Sequence, residues 1–263
     1  MRKHITSISN PLIKHLLLLQ KKSKLRKSCN EFVIEGVQEL KYANEAEYTL
    51  KQVLVCPDIF EDDIQLDALS CEVLEISKVV FEKIAYRSST GGVIAIASSK
   101  KLTLDKLKFD TDSPLILVAE APEKPGNIGA LLRTCDAAHL DAVIIANPKT
   151  DLYNPNIIRS SVGTIFTNSI ATGTTSEIID YLKTNNIHIF AAALQDSNSY
   201  LEENFTVPTA IVVGTEHEGL SENWRVQAHK IVKIPMDGKV DSLNVSVSAA
   251  ILIFEAKRQR LSV

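Results

Sequence analysis

LILVAEAPEKPGNIGALLR, residues 115–133, runs from an apolar segment through a proline–glycine turn into a helical pattern. Residues 115–119 are all aliphatic, as a strand buried on both faces requires. Pro125-Gly126-Asn127 makes the turn, and Asn127 is suited to cap the helix expected over 127–139. Leu131, Leu132 and Cys135 give that helix an apolar side. Downstream the alternation recurs. Residues 142–146, 187–193, 210–213 and 231–234 are short, mostly aliphatic or β-branched runs, and helical patterns occupy 176–185 and 244–260. Strands alternating with helices predict an α/β domain around a largely parallel sheet.

Upstream the pattern is more varied. Asn10-Pro11 reads as a cap followed by a first-turn proline, opening a helix over 11–27. Leu12, Leu16 and Leu19 form its apolar stripe, leaving Lys14, Lys21, Lys24 and Arg26 available outside it. Residues 31–35, 36–44 and 52–56 alternate between strand and helix, with a helix near 77–85 and a strand over 93–97. The polar stretch 100–112 suits a connector. Two domains are therefore expected, 1–105 and 106–263.

Charge is distributed unevenly. The net charge is only −3, yet residues 1–30 carry eight Lys or Arg and no acid, while 58–75 carry seven acids and no base. Screening makes such local clusters matter more to a polyanion than the total does. No apolar run is long enough to span a membrane, and 16–19 is too short and too flanked by lysine for a secretory leader. Cys29, Cys56, Cys71 and Cys135 form no C-x-x-C pair and no metal-ligand spacing with histidine, which fits a reduced, cytoplasmic setting.

Three loops follow predicted strands, where α/β sheets bind ligands. The first is the turn at 120–133, with Arg133 in its helix. The second, VGTEHEGL at 213–220, has glycines five apart but neither a Lys-Ser/Thr after Gly219 nor G-x-G-x-x-G, so phosphate-loop and dinucleotide fingerprints are both missing. The third, IPMDGKVDSLNVS at 234–246, leads into a helix capped by Ser242 or Asn244. That helix is apolar almost all round through Phe254, as a core or subunit-interface helix would be.

In order, spacing and wording these loops resemble the SpoU/TrmH family of RNA ribose 2'-O-methyltransferases, in the SPOUT superfamily. The resemblance rests on Asn127-x-Gly129 with Arg133, on Gly214-x-Glu216-x-x-Gly219-Leu220, and on Ile234-Pro235-Met236 with SLNVS at 242–246. It extends over about residues 115–260, and IRSSVGTIF at 158–166 is similar to the family's intervening segment. FVIEG at 32–36 is similar to a ribosomal-protein-like RNA-binding domain found ahead of the catalytic domain in many members. The resemblance implies a trefoil-knotted C-terminal α/β domain behind a smaller α/β RNA-binding domain, working as a homodimer through the knotted part. It implies S-adenosyl-L-methionine as cofactor and RNA as partner, ribosomal RNA first and transfer RNA second, with no metal.

Carried over by position, Gly214, Ile234 and Leu243 would touch the cofactor through the main chain, with Leu194, Thr215, Gly219, Pro235, Met236 and Asn244 close by. Arg133 would sit beside the ribose hydroxyl, oriented by Asn127, while Glu216, Ser242 and Asn244 organise the site. The family arginine is often described as the general base. Guanidinium groups rarely give up their proton in proteins, so positioning and alkoxide stabilisation suit it better. Two departures stand out: His217-Glu218 in the second loop, and Thr90-Gly91-Gly92 where many members have Gln-Gly. Two other readings remain open at this level: an RNA-binding protein that keeps the fold without catalysis, and an unrelated α/β enzyme with a nucleotide cofactor.

Overall fold

The structure, a computed structural model, describes residues 2–61, 64–86, 91–215, 218–239 and 242–261. After strand β1 (His4–Ile5), helix α1 (Pro11–Lys21) begins as its sequence suggests: the Asn10 side chain accepts the Leu12 N–H at 2.9 Å, and Pro11 takes the first turn. The helix expected to reach residue 27 stops earlier. Lys22 adopts extended angles (φ −115°, ψ 101°), and a second helix, α2 (Ser23–Cys29), starts in a new direction. The buried stripe of α1 is Ile13, Leu16 and Leu19, with Leu12 only partly covered.

The re-aimed α2 overturns the expectation for Arg26. Its side chain is 4% exposed, with Nε donating to Asp151 Oδ2 at 2.5 Å and Nη1 to the Leu19 carbonyl at 2.7 Å. Arg26 is therefore a buried structural cation, unavailable to phosphate. Arg2 and Lys3 are paired with Asp67 and Glu72. Lys14, Lys21, Lys22, Lys24 and Lys27 remain exposed.

The elements that follow are β2 (Glu31–Glu35), α3 (Val37–Glu45), β3 (Leu50–Val55), β4 (Glu72–Ile76), α4 (Lys78–Ile84) and β5 (Val93–Ser98). Their sheet has the order β1-β4-β3-β5-β2, with β5 antiparallel to both neighbours and the other pairs parallel. β4 escaped the sequence reading because Glu72 and Glu75 interrupt its apolar residues. His15, Cys29 and Glu31 come within metal-binding reach of one another. Lys51 Nζ, 2.5 Å from Glu31 Oε1, already supplies a cation there. Burial alone would raise the Glu31 carboxyl, but hydrogen bonds from Lys51 and His15 outweigh it and hold it below the usual range.

The second sheet comprises β6 (Leu115–Glu120), β7 (Ala142–Ala146), β8 (Ile170–Gly173), β9 (His188–Ala192), β10 (Asn198–Ser199), β11 (Thr209–Val213) and β12 (Lys230–Lys233). Helices α5 (Pro125–Ala137), α6 (Pro155–Ser160), α7 (Thr175–Thr184), α8 (Glu222–Gln227) and α9 (Val245–Leu261) are interspersed. The order is β10-β12-β9-β11-β6-β7-β8, and every described pair is parallel. β6, β7 and β11 are buried at every residue, as their continuous aliphatic runs predict.

Contacts divide the chain into two compact units: Met1–Lys101 with Asp151–Thr167, and Leu102–Thr150 with Asn168–Val263. A single cut at 105/106 does not describe this, because the segment carrying α6 groups with the first unit. Tyr153 stacks on Phe32 at 4.4 Å between centroids, and Phe166 packs edge-on against Tyr48 at 5.1 Å. Asp151, at the start of the segment, meets Arg26. Removing the carboxylate in Asp151→Ala strands a buried guanidinium, and the expected loss is roughly 3–5 kcal/mol in denaturant unfolding. An unchanged urea midpoint would show that water reaches Arg26.

Candidate active site

Strand β11 lies between β9 and β6, and β12 lies on the far side of β9. Three parallel strands thus end side by side, and the loops leaving β9, β11 and β12 converge on one cavity of about 570 Å³. Leu194 comes from the first loop, Gly214, Thr215 and Gly219 from the second, and Ile234, Met236, Ser242 and Leu243 from the third. Most residues expected to hold a cofactor are therefore brought together. Pro235 is exposed and, with Asn244, is outside the described lining. Glu216, like His217, lies outside the described residues.

The second loop closes on itself. Thr215 N–H donates to the Gly219 carbonyl at 3.0 Å, and Gly219 N–H returns to the Thr215 carbonyl at 3.1 Å. A Cβ at Gly214 would overlap the Gly219 carbonyl, so glycine is needed for this close approach. Gly219 itself has φ +68°. Below the loop sits Glu120, the last residue of β6, 6% exposed. Its Oε2 accepts the Ser221 N–H at 2.8 Å, and its Oε1 accepts the hydroxyls of Ser221 at 2.7 Å and Thr175 at 2.9 Å. Glu120 ties the glycine loop to β6 and to the start of α7. Sequence reasoning passed over it, although a carboxylate ending a wholly apolar strand is a signal that it has partners.

Asn127 does not cap α5. Pro125 starts the helix with Lys124 at the cap position, which places Asn127 within the first turn. There Asn127 Oδ1 accepts from Asn244 Nδ2 at 3.3 Å, linking the first motif to the third. Of the two candidate caps for α9, Asn244 takes the role: its Oδ1 accepts the Ser246 N–H at 3.0 Å. α9 packs on α5 and buries Ala249, Leu252, Ile253 and Ala256, leaving Val247 and Phe254 about half exposed. Arg133 is exposed on α5 and lies outside the described lining of the cavity. At about 100° per residue it is turned some 120° around the helix from Asn127.

The SpoU rRNA Methylase family matches residues 114–254, the span that builds this cavity. The chain belongs to that family. An MRM3-like substrate binding domain matches residues 10–95, within the first unit. The chain is 28% identical to a 23S rRNA (guanosine(2553)-2'-O)-methyltransferase of Bacillus subtilis over 97% of its length and 99% of the relative's. A solved RNA 2'-O ribose methyltransferase is 43% identical with a TM-score of 0.84, covering 98% of this chain and 99% of that one. An AdoMet-bound rRNA methyltransferase from Sinorhizobium meliloti is 26% identical with a TM-score of 0.88, covering 97% of each.

In this SpoU family member the cavity lining also includes a cation that was not anticipated. Arg225 of α8 donates from Nη1 to Gln195 at 2.6 Å and from Nη2 to Glu222 at 2.7 Å, while its buried Nε has no hydrogen-bond partner among the described residues. No expectation covered α8, a helix of six residues after the glycine loop. The Glu120 anchor is open to test. Glu120→Ala leaves the Ser221 N–H without an acceptor, and stability should fall by roughly 1–3 kcal/mol. Glu120→Gln, which keeps an acceptor oxygen, should lose less in the same chemical unfolding measurement.

Proposed function

We propose that this chain transfers a methyl group from S-adenosylmethionine to a ribose 2'-hydroxyl of RNA, ribosomal RNA first and transfer RNA second. The observation that carries this reading is the cavity at the ends of β9, β11 and β12, built from the segments that hold the family motifs. Its contents fit the cofactor. Leu194, Ile234, Met236 and Leu243 give apolar walls for an adenine, Gly214 permits close backbone approach, and Arg225 brings a cation to the wall. Gly214, Ile234 and Leu243 would hold the cofactor through main-chain groups, with Thr215, Gly219, Pro235, Met236 and Asn244 beside them. S-adenosylmethionine supplies a methyl made electrophilic by its positive sulfur.

The attacking ribose hydroxyl has to lose a proton, to solvent water or to a phosphate of the RNA, and negative charge grows on its oxygen. Arg133 would sit against that oxygen and stabilise the charge, which needs no proton transfer to the guanidinium. Asn127 and Asn244, bonded to each other, would orient the RNA and the arginine. Ser242 and Glu216 would complete the site.

The position of Arg133 supports a homodimer. Its exposure, with Val247 and Phe254 half exposed on the neighbouring helix, suits a second copy packed along α5 and α9. Sedimentation as a monomer at micromolar concentration would overturn that arrangement. The strand order, in which β11 enters between two strands already laid down, agrees with a knotted path. Stretching the chain by its ends to full contour length would rule the knot out. We place the protein in the cytoplasm with ribosomal RNA, which cell fractionation checks. Among the described residues no helix is long and apolar enough to cross a membrane.

Residues 1–101 would hold the RNA, with the exposed lysines meeting phosphates so that binding weakens as salt rises. Deleting the N-terminal domain is a poor test, because 151–167 would lose the unit it packs in. Arg133→Ala is better. It should bind S-adenosylmethionine normally in calorimetry and lose about a hundredfold or more in methyl transfer. Mapping of 2'-O-methylation on RNA from cells with and without the chain identifies the nucleotide. Full transfer by Arg133→Ala would remove the arginine from the mechanism, and absent cofactor binding by the unaltered chain would end the reading.

A further inference from the structure

The first unit contains a second cavity, of about 720 Å³, that neither the catalytic reading nor the lysine-rich face accounts for. Its walls come from distant parts of the sequence: Lys21 ending α1, Glu35 ending β2, Tyr86 just after α4, and Asn156 and Arg159 on α6. Tyr86 is 66% exposed, large for an aromatic residue. The Arg159 guanidinium lies over its ring at 3.8 Å from the centroid. Asn156 Oδ1 accepts from Arg159 Nη2 at 2.7 Å, and Glu35 Oε1 accepts the Tyr86 N–H at 2.7 Å. Glu35 thus fixes the backbone that carries the ring, Asn156 fixes the guanidinium, and a partly exposed stacked pair results.

We propose that this cavity receives one unpaired nucleobase of the RNA substrate, a proposal that rests on the RNA-methyltransferase reading above. Proteins read RNA mainly where bases are unstacked, by laying them on aromatic rings or arginine planes and bonding their edges. The required parts are present together. Tyr86 and Arg159 form the stacking platform, carboxamides and carboxylates line the walls for base edges, and Lys21 supplies a cation for a neighbouring phosphate. A bare phosphate site would not need the exposed ring. A duplex would not expose a base to it. The carboxylate of Glu35 disfavours a purely anionic ligand and favours bases that present an amino group, as guanine, adenine and cytosine do.

The test uses the full chain and a short single-stranded oligoribonucleotide carrying one 2-aminopurine. Stacking on Tyr86 should quench its fluorescence, and annealing the strand to its complement should abolish the quench. Tyr86→Ala should lose the quench and about tenfold in affinity, while Tyr86→Phe retains both. Tyr86 is exposed enough that neither change threatens the core. Equal quench and affinity in Tyr86→Ala and the unaltered chain would overturn the proposal. S-adenosylmethionine binding, measured by calorimetry on the same proteins, separates the two readings: its absence defeats the methyltransferase assignment, whereas its presence with an indifferent Tyr86 defeats only the base pocket.

Discussion

Strand β11 pairs with β6 on one side and β9 on the other, residue for residue from Thr209. Both ladders are parallel, and both faces of the strand are buried, so a slip in register would have to repack its aliphatic side chains on both faces and against both neighbouring strands. Fixing β11 fixes where its carboxyl end releases the chain. Gly214 then enters a turn already hemmed by the Gly219 backbone, next to the ends of β9 and β12. The cavity follows from the sheet's order. Its loops are held at their stems, and their precision comes from the ladder beneath them.

Much of this was legible. The aliphatic runs at 115–119, 142–146 and 210–213 could hardly be anything but buried strands, and the loops after them are where ligands bind in such sheets. β8 and β10 were harder to see: four residues ending in Thr172-Gly173 and two polar residues carry no hydrophobic period. The start of α5 went to Pro125 because its fixed φ is pre-organised for the first helical position. The role of Arg26 depends on a partner 125 positions away, which no local pattern reveals. For the same reason the membership of 151–167 in the first unit was invisible: its anchors are a salt bridge and an aromatic cluster assembled from distant sequence.

Buried and surface charges play different parts here. Glu120 and Arg26 are enclosed, and each is surrounded by hydrogen-bond partners that tie three segments together. Such groups specify a local arrangement because any alternative leaves a desolvated charge unmatched. Arg2 and Lys3 make pairs with exposed carboxylates that add little to stability. Their effect is to subtract from the basic character of the N-terminal segment. Of eight early cations three are committed within the fold, so the lysines of the two helices define the basic face that remains.

The exposure of Arg133 on α5 then has a chemical consequence. On the proposed mechanism the methyl donor is held by one chain's backbone and apolar side chains, which suffice for binding. Stabilising an alkoxide needs a cation close to the ribose oxygen, in a setting from which water is displaced. An arginine on an exposed helix face meets that condition only when another surface closes over it. Assembly would therefore switch on transfer without being needed for cofactor capture, and a monomer would bind the donor while leaving its methyl group unused.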